Sequence, residues 1–220
     1  MRPTLIALVA AVLLVGLWGT AALAEPEAEP ENTKDPNRER LGLRAGYVGT
    51  PSGISDAFGN GLDLSLHWVH RFKTPLAIDA TLGAFYMGDT GREDITISIF
   101  GQPFDNVSMR VLHITVAPML EFGLGTRTHV FTSLGAGMYT VSVLVDQALS
   151  EADLSHSHFG LVAGGGIIRQ ISGSWFVELS FHAHKFWTSG KDDDLFFRYS
   201  GGDKSPLFYQ AAIGVMLRIF

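Results

Sequence analysis

From residue 40 to the C-terminus the chain alternates apolar and polar side chains with a period of two, in eight stretches separated in turn by short and long polar breaks. A period of two marks β-strands whose two faces meet different surroundings. The alternation predicts strands over Arg40–Thr50, Gly61–Phe72, Leu76–Met87, Val107–Phe122, Arg127–Val145, His158–Ile171, Trp175–Thr188 and Leu207–Phe220. The short breaks Lys73-Thr74-Pro75, Gly123-Leu124-Gly125-Thr126 and Ser172-Gly173-Ser174 hold turn-forming residues. Long polar breaks at 51–60, 88–106, 146–157 and 189–206 alternate with them. An even strand number, with short connections at one end and long ones at the other, predicts an all-β fold: an eight-stranded antiparallel up-and-down transmembrane β-barrel with both termini at the short-turn end.

The faces sort by polarity. In the strand from Trp175, one face carries Trp175, Val177, Leu179, Phe181 and Ala183, and the other carries Phe176, Glu178, Ser180, His182 and His184. The polar face must look inward. The same reading puts Leu62, Leu64, Leu66 and Trp68 outside with Asp63, Ser65 and His67 inside; it puts Leu112, Ile114, Val116, Pro118, Leu120 and Phe122 outside with His113, Thr115 and Glu121 inside. On the last strand Tyr209, Ala211, Ile213, Val215, Leu217 and Ile219 are outside, and Gln210 and Arg218 inside. The strands near 127–171 are glycine-rich and leave their phase open. A soluble β-sandwich shares the period, but its buried faces are apolar, whereas here the interior positions carry charge. In water the apolar belt would far exceed the patches that soluble monomers tolerate.

Met1 and Arg2 precede the apolar run Leu5 to Trp18, and Ala22-Leu23-Ala24 lies just before Glu25-Pro26. That arrangement predicts a cleaved signal peptide over 1–24. A run of ~14 apolar residues is short for the ~20 of a spanning helix. Residues 25–39 are acidic, proline-rich and without apolar periodicity, which predicts a disordered periplasmic segment before a barrel over 40–220. The expected location is the outer membrane of a Gram-negative cell. The chain has no cysteine, so disulfides, thiolate chemistry and cysteine-built zinc sites are excluded. A net charge of -6 gives no basic footprint and argues against nucleic acid as a partner.

The strand count, the loop alternation and the ending Gly214-Val215-Met216-Leu217-Arg218-Ile219-Phe220 together resemble the small eight-stranded outer-membrane barrels, the group of the OmpA transmembrane domain, OmpX and OmpW. The resemblance spans residues 40–220. It implies that Gly214, Leu217, Ile219 and Phe220 form the signal read by the barrel-assembly machinery. Arg218 departs from the pattern, because an apolar residue is usual two before the final phenylalanine. The resemblance also implies outer-membrane lipid and lipopolysaccharide as surroundings, and an OmpW-like carrier of small apolar molecules as an alternative role.

An eight-stranded barrel is just wide enough inside for side chains to fill it. Asp63, His67, Arg71, Asp79, His113, Glu121, Glu178, His182, His184 and Arg218 are therefore expected to pack the lumen and pair charge with charge, since an unpaired buried charge is costly. A narrow pore is the alternative. Glu178, Ser180, His182 and His184 share one strand face, and outer-membrane lipid A acyl hydrolases and transferases place Ser and His in such positions. Strand residues i and i+2 stand ~6.6 Å apart, beyond the ~3 Å that a nucleophile and base require. No enzyme activity and no cofactor is expected. The pairs His156/His158 and His182/His184 offer too few ligands for a metal site. The run Ile95–Phe100 predicts a protruding hairpin closed at Gly101-Gln102-Pro103, whose edge could recruit an extracellular protein by strand addition. Lys191-Asp192-Asp193-Asp194 is a solvated charge run or a site of divalent bridging to lipopolysaccharide phosphates. The expected function is a structural or surface-interaction role.

Overall fold

The computed structural model describes residues 39–50, 58–73, 75–89, 97–99, 102–104, 107–145, 155–188 and 205–219. The strands are β1 (Glu39–Gly49), β2 (Phe58–Lys73), β3 (Leu76–Asp89), β4 (Ile97–Ile99), β5 (Gln102–Phe104), β6 (Val107–Gly123), β7 (Thr128–Val145), β8 (Ser155–Ser172), β9 (Trp175–Phe186) and β10 (Leu207–Arg218). Eight of them close into one barrel in the order β1-β10-β9-β8-β7-β6-β3-β2. Every neighbouring pair in it is antiparallel, and β1 closes on β10 with Arg40 opposite Arg218 and Gly49 opposite Tyr209. Each barrel strand thus pairs with its neighbours along the chain, the up-and-down topology that the alternation predicts.

Local chemistry sets the ends. Gly125 sits in the turn after β6 at φ +155, which side-chain-bearing residues rarely adopt. The turn is pinned where the Leu124 N–H donates to the Thr128 carbonyl at 2.8 Å. At the neighbouring turn the Glu121 N–H donates to the Pro75 carbonyl at 2.7 Å. Two residues, Gly173 and Ser174, separate β8 from β9, with Ser172 opposite Trp175. The β6–β7 ladder is interrupted at Ala117 and Pro118, because proline has no N–H to give. β1 takes in Glu39, one residue before the expected barrel start, and β7 leaves out Arg127.

Burial alternates residue by residue. Leu62, Leu64, Leu66 and Trp68 are exposed while Gly61, Asp63, Ser65 and His67 are buried, and β6, β9 and β10 behave alike. The glycine-rich strands also acquire a phase: Phe131, Ser133, Tyr139 and Val141 of β7, and His158, Val162 and Ile168 of β8, are inside. The outer surface is an apolar belt edged by aromatics, with Trp68, Phe72, Phe122 and Trp175 toward the short turns and Tyr47, Tyr86, Phe159 and Trp187 toward the opposite end. Trp175 and Trp187 face outward twelve residues apart. At ~3.3 Å per residue and a tilt of ~40° that is about 30 Å of height, the thickness of a bilayer's hydrocarbon core.

Three sequence expectations need correction or fall outside what is described. The hairpin exists as a separate two-stranded sheet, with Ile97 opposite Phe104 and Ile99 opposite Gln102, so Gln102 and Pro103 belong to its second strand rather than to the closing turn. Among the described residues this sheet is separate from the barrel. The signal peptide, the acidic segment up to 38, Phe220 and the Lys191–Asp194 run lie outside the described residues.

Candidate functional site

The candidate site is the packed interior, and it is layered. At the short-turn end Arg40 on β1 grips Glu121 on β6 through two hydrogen bonds, at 3.0 and 3.3 Å. Arg71 lies 3.6 Å and His129 3.2 Å from the same carboxylate. The Arg40 guanidinium rests 4.6 Å over the Phe176 ring, with Arg218 at 5.0 Å. Against this rim packs an apolar disc of Val69, Ala77, Met119, Phe131, Ile168, Phe176 and Met216.

The middle layer turns on Arg44. Its Nε donates to Glu178 on β9 at 2.7 Å and its Nη2 to Asp79 on β3 at 2.6 Å, so one guanidinium ties opposite walls together. Thr81 receives the third donor at 3.3 Å and itself donates to Asp79 at 2.9 Å. His67 stands 3.9 Å from Asp79 and 4.0 Å from Glu178. Beyond it runs a second network. Tyr139 donates to His184 Nδ1 at 3.0 Å, His184 Nε2–H then donates to Gln210 at 3.1 Å, and Gln210 donates in turn to Asp63. Ser65 adds a donor to Asp63 at 3.2 Å, and His113 lies 3.7 Å away. Gln210 and Ser65 thus both donate to Asp63 Oδ2, which stabilises the buried carboxylate.

The end away from the short turns is closed by rings. Phe186 stacks on Phe208 at 5.4 Å, on Tyr139 at 5.2 Å and on His158 at 5.5 Å, while Phe85 meets His184 edge-on at 5.0 Å. Between the two apolar layers lies a cavity of about 10 Å³, lined by Arg44, Asp79, His113, His182 and Gln210 among others. That is room for one water molecule and not for a solute path.

Glycines make this density possible. Gly42 stands opposite His67, Gly83 opposite His113 and Gly164 opposite His182 in the ladders. A Cβ on any of the three would collide with the facing imidazole.

The structure brings together Asp63, His67, Asp79, His113, Glu121, Glu178, His182 and His184, all buried. Arg71 and Arg218 lie at the rim of this interior: Arg71 keeps 18% exposure and lies 3.6 Å from Glu121, and Arg218 rests over Phe176 and donates to the Gly173 carbonyl at 3.3 Å. Their positions at strand ends leave part of each side chain in solvent. The sequence reading missed Arg40 and Arg44, which hold both ion-pair layers. Their signal is present, since Arg40, Gly42 and Arg44 alternate with Leu41, Leu43 and Ala45 just as on the other strands. The interior aromatics Phe85, Phe186 and Phe208 were also missed, because polarity alone places phenylalanine in the outer belt.

Ser180 is buried and its hydroxyl has no hydrogen-bond partner, so no base activates it. Among the described residues no group of three or more His, Asp or Glu side chains is placed to hold a metal ion.

No family model matches the chain, and no curated protein is similar to it in sequence. Solved structures are. Neisserial surface protein A superposes with a TM-score of 0.56 at 12% identity, covering 82% of this chain and 97% of that one. OprG, an outer membrane protein of Pseudomonas aeruginosa, gives 0.47 at 8% identity over 83% and 98%. Ail, the attachment invasion locus protein of Yersinia pestis, gives 0.46 at 14% identity over 82% and 99%. The fold is that of the small eight-stranded transmembrane barrels.

Proposed function

We propose that this chain is an integral outer-membrane barrel with a structural and surface-interacting role, one that neither conducts solutes nor catalyses a reaction. The observation that carries the reading is Arg44, held between Glu178 at 2.7 Å and Asp79 at 2.6 Å so that one guanidinium spans the interior from wall to wall. A solute path would have to break that bridge and open two apolar layers. The exposed belt between two aromatic girdles supports a bilayer as the surroundings. The sequence features before residue 39 support export, and the ending through Ile219 and Phe220 supports delivery by the barrel-assembly machinery. Lipopolysaccharide outside the belt and an extracellular protein at the loop end are the partners that fit.

Glu178→Ala tests the plug. It leaves Arg44 with Asp79 as its one strong anion, and losing one member of a buried charge pair costs about 3–5 kcal/mol. Urea unfolding should shift to lower denaturant while planar bilayers with the wild-type protein stay silent. Steady wild-type current, together with an unfolding midpoint that Glu178→Ala does not move, would replace the plug with a hydrated pore in which water screens the charges.

A further inference from the structure

The rows of paired residues do not run level around the barrel. The outward row that starts at Leu76 near the short turns passes Thr132 on β7, Phe181 on β9 and Tyr47 on β1 and returns to β3 at Tyr86, ten residues further along that strand. Each step in this direction therefore climbs toward the long-loop end, by about 3 Å at ~4.8 Å between strands and a tilt of ~40°.

Continued from Tyr86, the row meets Arg110 on β6, Ser142 on β7 and Ser155 on β8, each directly opposite the one before. All four share the outer face, because Phe85, Met109, Val141 and His158, of the other phase, are buried inside. One row lower, Thr140 and Ser157 also face outward and share a hydrogen bond at 3.0 Å. Ser157 stands two residues above Phe159, which stacks on Trp187 at 6.2 Å, so the hydroxyls begin where the aromatic girdle ends. Tyr86 belongs to that girdle, and the climb of the row sets Arg110 about 3 Å beyond it, with Ser142 and Ser155 about 6 and 9 Å beyond. No carboxylate among the described residues pairs with Arg110. Hydrocarbon cannot solvate a guanidinium, and the depth just beyond an aromatic girdle is that of the headgroups. A guanidinium pairs with phosphate oxygens through two parallel hydrogen bonds. Serine and threonine hydroxyls both donate and accept, as the hydroxyls of a sugar do. From Arg110 to Ser155 the patch covers two strand steps, about 10 Å, which is wider than one phosphate and matches a phosphate with a sugar beside it.

We propose that Arg110, Thr140, Ser142, Ser155 and Ser157, beside Tyr86, form a binding site for the phosphorylated sugar headgroup of a glycolipid of the lipid A type in the leaflet at the long-loop end, with Arg110 on the phosphate and the hydroxyls on the sugar. The proposal rests on the membrane-barrel reading and gives its lipopolysaccharide partner a place. Lys185 also faces outward near that border, on β9 with two strands between it and β6, and its cross-strand neighbours are Leu161 and Leu207. It is a cation without a hydroxyl patch, and so provides an internal control.

The barrel folded into neutral detergent micelles holding equal lipid A and phosphatidylglycerol, with retained lipid identified by native mass spectrometry, gives the test. Wild type should retain lipid A preferentially. Arg110→Gln should weaken that preference by roughly fivefold, the scale of one cation at an anionic surface. Ser142→Ala combined with Ser155→Ala and Ser157→Ala should weaken it as well, and Lys185→Gln should leave it unchanged. With lipid A stripped of its phosphates, retention should still fall in the alanine triple but no longer respond to Arg110→Gln. Equal retention of the two lipids by wild type, an undiminished preference in Arg110→Gln or in the alanine triple, an equal loss in Lys185→Gln, or a response of the stripped lipid to Arg110→Gln would each overturn the site. Preferential retention of phosphatidylglycerol that depends on Arg110 would assign the patch to a phospholipid and overturn it too. Folding is followed on the same samples by the shift in gel mobility on boiling. If wild type shows no such shift, the membrane-barrel reading fails and the site with it; a closed wild type without lipid preference removes the site alone.

Discussion

His182 fills the middle of the barrel because the residue facing it on β8 is Gly164, and the same relation holds for His113 with Gly83 and His67 with Gly42. Each glycine supplies the volume that its partner's ring occupies. Adding one methyl should therefore be felt as overpacking, at about 1–3 kcal/mol. Gly164→Ala and Gly83→Ala should lower the urea midpoint of the folded barrel, while Gly88→Ala, which meets nothing within 4 Å, should not. Equal midpoints for all three would show that the imidazoles move aside freely. The richness in glycine, 25 residues, is visible in the sequence, but its meaning is not, because which glycine faces which histidine depends on the register between strands. Arg44 escaped for a related reason. Its partners lie 35 and 134 residues away, and no periodicity within one strand reports a contact across the barrel.

Strands were the most legible scale. Period-two alternation located every barrel strand to within about three residues, because a bilayer outside and a polar filling inside force adjacent residues into opposite environments. It failed where glycine removed the contrast, on β7 and β8, and where phenylalanine serves both faces: Phe181 and Phe186 on β9 lie outside and inside respectively. The same alternation makes the outer face sensitive to charge. Leu64, Ile114 and Ile213, exposed by 63%, 60% and 63%, sit well between the two girdles. An arginine at any of them should cost about 2–4 kcal/mol in a bilayer, the penalty at mid-membrane on the lipid face of a barrel. Leu76→Arg, at the short-turn border, should cost well under half of that. Unfolding from vesicles measures both, and similar costs at middle and border would mean that the belt does not lie in lipid.

At the scale of the whole molecule, closure and charge pairing are one event. Arg40 and Arg44 both belong to β1, the strand that meets β10 to seal the barrel, and their carboxylate partners lie on β3, β6 and β9. While β1 is apart from β10, Glu178 has no route to Arg44, so the open sheet carries uncompensated charge in what becomes a dry interior. Arg44→Met should then cost about 3–5 kcal/mol, because it leaves Asp79 and Glu178 facing each other without their cation. The loss belongs to the broken set rather than to the absence of ion pairs, since exchanging a whole buried set for neutral residues of similar size is often neutral or stabilising. Arg44→Met combined with Asp79→Asn and Glu178→Gln should therefore recover most of the stability. Unfolding in urea, read together with the boiling-dependent gel shift, separates the cases. A triple variant as unstable as Arg44→Met alone would show that Arg44 acts through the packing of its stem beside Gly214 and its hydrogen bond to Thr81, and that charge neutralisation contributes little to holding the barrel closed.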